Sequence, residues 1–315
     1  MKTRDYASVL FTPDQISQQT AASLRERMEN KGLGVTIGLP GLDKKFLPML
    51  PGELCSIIGR PGNGKSGFMV RWARYRSDWL KENDKTGKRV VVYITLEQSI
   101  EELNAFNIAA DQHLSITNMA RGEITEAEWG KCLDSAVNRI LLPLWNIGYS
   151  SMTASKQIRL DVDALRGAVS LIREEHGKTI DCIFVDYLQR IPYAGAEKTN
   201  GISDNLDALK NMALHEARCP MIVGVQARRE VDGYADHMPD MDDGQWTSNI
   251  EQSSDKIICL MRPAKYWPEG TIINEFESLK GMKATKNLLA MYIAKQKMGA
   301  SNFPYAAFFD PEYNK

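Results

Sequence analysis

Eight consecutive residues have the types and the spacing of a phosphate-binding loop. They match the pattern G-x-x-x-x-G-K-[ST] and are Gly59, Arg60, Pro61, Gly62, Asn63, Gly64, Lys65 and Ser66. Glycines let the backbone turn tightly, so that successive N–H groups point into one concavity at the start of the following helix. In such a loop the lysine reaches the β- and γ-phosphates of a nucleoside triphosphate, and the hydroxyl binds Mg²⁺. The pattern therefore predicts a triphosphate site with Lys65 and Ser66 in these roles.

Three further polar residues, Asp186, Glu97 and Gln226, each stand at or just after the end of an apolar run. The carboxyl ends of parallel strands share one edge of a sheet, so these side chains are expected to lie near Lys65. Asp186 is predicted to hold Mg²⁺, Glu97 to activate the attacking water, and Gln226 to contact the γ-phosphate. The alternatives are structural, because strand-end aspartates cap helices and a first-turn glutamate is favoured by the helix dipole.

The elements that must position these residues alternate between strands and helices. Strands are predicted at 54–58, 89–95, 140–147, 180–186, 220–226, 255–261 and 288–294. Helices are predicted at 65–82, 99–111, 124–137, 160–176 and 202–217. This alternation, with nearly continuous apolar strands, predicts an α/β fold with a mostly parallel sheet covered on both faces. The last two strands are expected to form an antiparallel hairpin joined by a loop over 262–287.

Composition limits the class of protein. The 315 residues are 43% hydrophobic, which supports a substantial core, and the net charge of −1 means that any nucleic-acid site must be a local patch. None of the five cysteines forms a C-x-x-C pair, so buried free thiols are expected rather than a zinc site. No run approaches 18 apolar residues, and a cytoplasmic protein without a membrane partner is expected.

Taken together, the motifs resemble those of the DnaB-type replicative helicases over about residues 34–310. The segments that carry the resemblance, in chain order, are Thr36–Asp43 (similar to PTGFxDLD), Pro51–Leu54, the phosphate-binding loop (ARPGMGKT), Thr95–Glu97 (SLE), Val185–Gln189 (VDYLQ), Asn249–Asp255 (AIEQDAD) and Ala294–Gly299 (AKQRNG). The VDYLQ match is identical and is the most specific of them.

The resemblance implies a RecA-like ATPase that uses ATP and Mg²⁺. It implies a homohexamer with ATP sites between subunits, which translocates on single-stranded DNA, 5′→3′ in this family. Glu97 would then be the general base and Gln226 the γ-phosphate sensor.

The resemblance also implies a domain layout. Residues 34–315 would form the motor domain and residues 1–33 an arm, in which 14–30 matches a linker helix that packs on the adjacent subunit. The family's N-terminal primase-contacting domain has no counterpart in these residues, as expected for a phage or mobile-element version. A loader, a primase or another replication or mobile-element protein would be the further partner.

One departure concerns the cation that the neighbouring subunit supplies. The family's AKQRNG arginine, which acts as a finger in the adjacent ATP site, is replaced here by Lys297. Lysine keeps the charge but lacks the planar two-pronged guanidinium, and such a finger is worth about 10³–10⁵ in rate. Either hydrolysis is slow, or Lys295 and Lys297 act together, or another cation such as Arg262 substitutes. The simpler alternative is that lysine suffices with a small loss of rate.

A second departure concerns the two loops expected to contact DNA. The first carries Arg190 and Lys198, and the second carries Arg228 and Arg229. Over 228–243 these two arginines stand against six acidic residues, a net charge of −4, and Gln245 replaces a family arginine. Phosphate contacts depend on Lys and Arg, so this loop is a poor DNA ligand unless its acids point away.

Two alternatives for the function therefore stay open. One is a DnaB-like ATPase without processive unwinding, acting as a switch or recruitment platform in replication, transposition or defence. The other is a RadA- or RecA-like recombination ATPase.

Overall fold

A central eight-stranded sheet organises the chain. In the computed structural model the described residues are 10–29, 34–153, 156–193, 195, 197–245, 249–274, 276 and 279–310. The strands are β1 Leu54–Gly59, β2 Arg89–Thr95, β3 Leu144–Ile147, β4 Thr179–Asp186, β5 Met221–Gln226, β6 Lys256–Met261, β7 Leu288–Gln296 and β8 Phe303–Phe308. The helices are α1 Pro13–Glu29, α2 Pro40–Asp43, α3 Lys65–Asn83, α4 Ile100–Gln112, α5 Ile116–Arg121, α6 Glu126–Arg139, α7 Val162–Glu174, α8 Lys198–Asn211 and α9 Ile250–Ser253.

The strand order is β3-β2-β4-β5-β1-β6-β7-β8. Strands β1 to β6 pair in parallel, and β6, β7 and β8 pair antiparallel. The predicted α/β class, the mostly parallel sheet and the C-terminal hairpin are therefore confirmed. The edge strand β8 was not predicted because Pro304 interrupts its pattern, although proline is tolerated on an edge strand, where its missing N–H costs no ladder bond.

The two faces of the sheet bury separate apolar clusters. In β1, Leu54 and Ile58 point to the face covered by α7 and α8, whereas Cys55 and Ile57 point to the face covered by α3. Because side chains alternate along a strand, burial of both faces requires the nearly continuous apolar runs seen in the sequence. All five cysteines are free and buried, as predicted.

Several boundaries differ from the predictions. The strand predicted over 140–147 is only β3, because α6 continues to Arg139 and the apolar residues Ile140 and Leu141 are exposed in the turn that follows. The helix predicted over 202–217 is α8, which starts earlier and passes into a π-helical turn at Met212–Glu216. Helix α5 was not predicted.

The N-terminal arm contains α1, which starts with a reciprocal cap. The Thr12 N–H donates to Gln15 Oε1 (2.8 Å), and the Gln15 N–H donates to Thr12 Oγ1 (3.3 Å). The apolar side chains of Ile16, Leu24 and Met28 are exposed. The rest of the predicted arm, residues 1–9 and 30–33, lies outside the described residues. Within the described part of the chain, no helix combines the length and apolarity needed to cross a bilayer.

Candidate nucleotide site

The phosphate-binding loop leaves the carboxyl end of β1 and leads into α3. Gly64 has φ +85°, a left-handed conformation that glycine adopts without strain, and α3 starts at Lys65. β1 lies between β5 and β6, and Gly59 is paired with Gln226. The loop thus opens at the edge where the other parallel strands also end, as the sequence predicted.

Lys65 is buried beneath this loop. Its Nζ donates to the carbonyl oxygens of Gly59 (2.7 Å) and Arg60 (3.2 Å). Burial lowers the pKa of the Lys65 ammonium to about 8, although the carboxylates of Asp186 and Glu97 favour its charged form. A polyanion in this cavity would add negative charge beside Lys65 and stabilise the ammonium further.

Asp186 ends β4 in the interior of the protein. Tyr93 OH donates to its Oδ2 (3.0 Å), and its buried Oδ1 has no hydrogen-bond partner among the described residues. Burial raises the pKa of the Asp186 carboxyl, against the opposing effects of the Ser66 and Tyr93 hydroxyls and the Lys65 ammonium. An unpartnered carboxylate oxygen near a serine hydroxyl fits Mg²⁺, which prefers hard oxygen ligands.

Glu97 and Gln226 complete this edge. Both line a cavity of about 530 Å³ with the phosphate-binding loop. Arg190 Nη2 lies 3.3 Å from Glu97 Oε1, an ion pair that joins the ends of two neighbouring strands. The backbone of Gln226 is fixed because its N–H donates to Gln189 Oε1 (3.0 Å). The structure therefore brings Lys65, Glu97 and Gln226 to one cavity.

Arg262 and Phe309 also line this cavity, and neither had an assigned role in binding the nucleotide of its own subunit. Arg262 follows β6, and Phe309 follows β8; the guanidinium carbon of Arg262 lies 5.8 Å from the centre of the Phe309 ring. Burial lowers the pKa of Arg262. The position of Arg262 could have been predicted from the sequence, because it follows an apolar strand as Glu97 does. The position of Phe309 could not, because β8 itself was not predicted.

Lys295 and Lys297 lie at the other end of the strands, opposite the carboxyl ends where the phosphate-binding loop lies. Lys295 pairs in register with Ile257 near the start of β6, and its Nζ donates to the Glu251 carbonyl (2.6 Å). Lys297 Nζ lies 3.5 Å from Asp255 Oδ1. Ile257 pairs with Ser56 of β1, three residues before Gly59, and Lys297 is level with Leu54, five residues before Gly59. At about 3.3 Å per strand residue, Lys295 and Lys297 therefore lie about 10 Å and about 17 Å along the strands from the start of the phosphate-binding loop. Neither lysine can reach that loop within one subunit.

The residues predicted to contact DNA are placed in different ways. Arg228 donates to Asp243 Oδ1 (2.7 Å) and to Tyr234 OH (3.2 Å), so it helps to hold its own loop together. Arg229 is exposed, and Lys198 is an exposed residue at the start of α8. Arg190 is paired with Glu97. The stretch Trp246–Ser248, which departs from the family pattern, lies outside the described residues.

Comparison with known proteins gives a consistent family. A family model for the DnaB-like helicase C terminal domain matches residues 34–315. The chain is 26% identical over 302 residues to the replicative DNA helicase DnaC of Bacillus subtilis, with 94% of this chain and 60% of that protein covered. It is 25% identical over 285 residues to the replicative DNA helicase DnaB of Geobacillus stearothermophilus, with 90% and 56% covered. The chain thus spans 56–60% of the length of these relatives.

Two solved structures share the fold. The ATPase domain of G40P superposes with a TM-score of 0.74 at 23% identity, covering 95% of this chain and 96% of that one. A DnaB-like replicative helicase, reported with its interactions with primase, superposes with a TM-score of 0.72 at 23% identity, covering 94% and 65%. The fold is therefore that of the RecA-like ATPase domains, as the motifs had predicted.

Proposed function

We propose that the chain is a DNA helicase motor, because it belongs to the DnaB-like helicase C-terminal domain family. It would hydrolyse ATP between the subunits of a six-membered ring and translocate on single-stranded DNA, 5′→3′. The observation that carries this proposal is the cavity in which Lys65, Glu97 and Gln226 meet the phosphate-binding loop, beside the buried Asp186.

The loop and Lys65 would bind the triphosphate. The N–H groups of the loop and the start of α3 favour anions, and the Lys65 ammonium would leave the carbonyls of Gly59 and Arg60 for the phosphates. Ser66 and Asp186 would hold Mg²⁺, which when bound neutralises charge on the phosphates. The described residues contain no cluster of three or more His, Cys, Asp or Glu suited to a metal. This agrees with a cation held by one carboxylate, one hydroxyl and the substrate's own phosphates.

Glu97 and Gln226 would act on the γ-phosphate. The Glu97 carboxylate would accept a proton from the water that attacks the γ-phosphorus. Gln226 has a fixed backbone and a side chain in the cavity, so its amide would report the loss of the γ-phosphate to the loop that follows β5. The Arg262 guanidinium and the Phe309 ring, on the same cavity wall, would stack on the nucleobase.

The positions of Lys295 and Lys297 support a site shared between subunits. A cation at the far end of the strands is useless to its own ATP site but is available to a neighbour in a closed ring. The exposed apolar residues of α1 support the same assembly, because they need a surface to cover them. The groove between α4 and α5, lined by Phe106, Ile116 and Met119, is the surface of the neighbour that we propose for α1.

The DNA would pass the loops that follow β4 and β5. Two acids of the second loop are already paired, Asp232 with Arg60 and Asp243 with Arg228. Among the described residues of that loop, Arg229 is the exposed cation without an ion pair, so sequence-independent phosphate contacts would be few. The alternative ATPase without processive unwinding, a switch or recruitment platform, is favoured by this shortage of cations and by lysine in place of the finger arginine. A loader or primase partner belongs to either version.

The experiment compares ATP turnover with and without single-stranded DNA, and unwinding of a forked duplex. A helicase motor should hydrolyse ATP several-fold faster with DNA, and Lys65→Ala should abolish unwinding. If single-stranded DNA neither stimulates ATP turnover nor binds at low salt, the helicase motor is excluded and the switch or recruitment platform remains. Mixing Glu97→Ala with Lys297→Ala subunits tests the shared site, because the mixture forms some interfaces with both functional residues and should regain activity. Purely additive loss would contradict sharing.

A further inference from the structure

Arg190 connects the nucleotide cavity with the first proposed DNA loop. Its Nη2 lies 3.3 Å from Glu97 Oε1, and its guanidinium carbon lies 5.9 Å from the centre of the Tyr187 ring. Glu97 and Tyr187 both line the cavity, whereas Arg190 is about half exposed at the point where the chain leaves β4 for the loop. The family motif VDYLQ ends one residue earlier, at Gln189, so Arg190 lies outside that motif.

The backbone that carries Arg190 is held by hydrogen bonds, whereas its side chain is about half exposed. The adjacent Gln189 accepts from the Gln226 N–H (3.0 Å) and donates to the Gln245 carbonyl (3.0 Å). The Arg190 N–H itself donates to the Tyr187 carbonyl (3.0 Å) within a tight turn. A change of partner at Arg190 therefore requires only a rotation of its long, half-exposed side chain.

We propose that Arg190 is a positioning residue that restrains Glu97 until a DNA phosphate takes the guanidinium. While paired, the Glu97 carboxylate uses one of its oxygens on Arg190 and is held away from the water that it would deprotonate. When a phosphate of the strand binds Arg190, Glu97 is released to act on that water. The inference rests on the proposed function, since it assigns to DNA the release of the same catalytic group.

The strength of the two interactions makes this exchange feasible. An ion pair between two half-exposed side chains is weak, and its loss changes an equilibrium by about two- to fivefold. Arginine binds phosphate through paired, charge-assisted hydrogen bonds, which are stronger than a single contact to a carboxylate. DNA should therefore compete successfully for Arg190, and the restraint should be modest in size.

The test measures ATP turnover of the full chain, without and with a single-stranded oligonucleotide, in Arg190→Ala. Without DNA, kcat should rise about two- to fivefold with KM for ATP unchanged, and the stimulation by DNA should shrink by the same factor. Arg190→Lys keeps the charge, so ATP turnover without DNA should stay close to the parent. It lacks the paired hydrogen bonds to phosphate, so stimulation by DNA should be weaker than in the parent. Arg121→Ala is the matched control, because this exposed arginine has a comparable weak pair with Glu123 (3.9 Å) and does not line the nucleotide cavity.

DNA binding supplies a second readout. If Arg190 contacts a phosphate, the slope of log K against log salt should decrease by about 0.7 in Arg190→Ala, as for one lost contact to a single strand. A lower kcat without DNA, or unchanged kcat and unchanged stimulation, would overturn the restraint. Failure of the proposed motor function looks different, because the parent protein itself would then show neither DNA binding nor stimulation.

Discussion

Arg60, inside the phosphate-binding loop, is tied to Asp232 in the loop that follows β5. Arg60 Nε lies 3.1 Å and Nη2 lies 2.9 Å from the Asp232 carboxylate, and Arg60 Nη1 donates to the Ala227 carbonyl (3.0 Å). Tyr266 OH, which accepts a hydrogen bond from Asn63 (2.9 Å), also donates to Asp232 (3.4 Å). Two residues of the phosphate-binding loop are thus connected to one carboxylate of the loop after β5, the second proposed DNA loop.

This connection predicts that Asp232→Asn uncouples the two loops. An amide cannot accept the paired, charge-assisted hydrogen bonds of the guanidinium with equal strength, so the second loop should lose its fixed relation to Arg60. We expect DNA stimulation of ATP turnover to fall several-fold, while turnover without DNA changes less than twofold. Asp242→Asn, an exposed acid of the same loop, is the control. Equal effects of the two variants would mean that loop charge, and not the contact to Arg60, is responsible.

The lowered pKa of Lys65 predicts the pH dependence of ATP binding. With a pKa of about 8, Lys65 is charged below pH 8 in the free protein, and bound phosphates should raise that pKa. Below pH 8 the ammonium is present in both states and affinity should be level. Above pH 8 the free protein loses the proton and must regain it on binding, so affinity should fall by up to about tenfold per pH unit. Calorimetry at pH 9 in buffers of different ionisation enthalpy should detect proton uptake. Lys65→Met should show no uptake.

Phe309 and Arg262 should determine affinity for the base rather than the chemical step. Loss of a stacking surface weakens binding of substrate and transition state alike, which raises KM and leaves kcat unchanged. We expect Phe309→Ala to raise KM for ATP about two- to twelvefold, from roughly 0.5–1.5 kcal/mol of ring stacking. Phe309→Tyr, which keeps the ring, should stay close to the parent. A fall in kcat without a change in KM would contradict a role in base binding.

The buried ion pairs of Asp181 predict a large stability effect far from the cavity. Arg76 donates from Nε to Asp181 Oδ2 (2.7 Å) and from Nη2 to Oδ1 (3.0 Å), and Arg89 also pairs with Oδ1. The side chains of Arg76 and Asp181 are 1% and 0% exposed. Asp181→Asn leaves buried guanidinium charge uncompensated, which costs about 3–5 kcal/mol in the free energy of unfolding.

Urea unfolding measures this cost against a surface pair. Asp163, whose side chain is 89% exposed, is one of the two carboxylates that pair with Arg166, the other being Glu216. The change in the free energy of unfolding in Asp163→Asn should therefore stay below about 0.5 kcal/mol. Midpoints that shift equally in Asp181→Asn and Asp163→Asn would contradict the difference in burial as its cause.

The sequence was sufficient to predict where a side chain lies wherever one local rule determines its position. Asp186, Glu97 and Gln226 could be placed near Lys65 because parallel strands end at a common edge. Asp186 and Gln226 are the last residues of β4 and β5, and Glu97 lies two residues after β2. The pair between Arg190 and Glu97 could not be predicted, because 93 residues separate the two side chains and only the pairing of β2 with β4 brings them together. The ion pairs of Asp232 with Arg60 and of Asp243 with Arg228 could not be predicted either, since a net charge of −4 says nothing about which acids already have partners.

Helix α1 provides the last prediction, on assembly. Ile16, Leu24 and Met28 lie at helical spacing and are 52%, 54% and 76% exposed, so a subunit alone leaves this apolar side in water. If α1 docks in the α4–α5 groove of a neighbour, Leu24→Asp should place a charge in an apolar contact and shift rings to single subunits. Gln18→Asp, about half a helical turn away from Ile16, introduces the same charge on the polar side and should leave assembly unchanged.

Particle mass with a non-hydrolysable ATP analogue measures the outcome. Phe106→Asp, in the groove itself, should reproduce the dissociation, and mixing it with Leu24→Asp should not restore closed rings, because each subunit must offer both surfaces to close a ring. Rings that persist in Leu24→Asp would show that α1 is not the contact that holds neighbours together. In that case the lysines at the far end of the strands would need another interface to reach an ATP site.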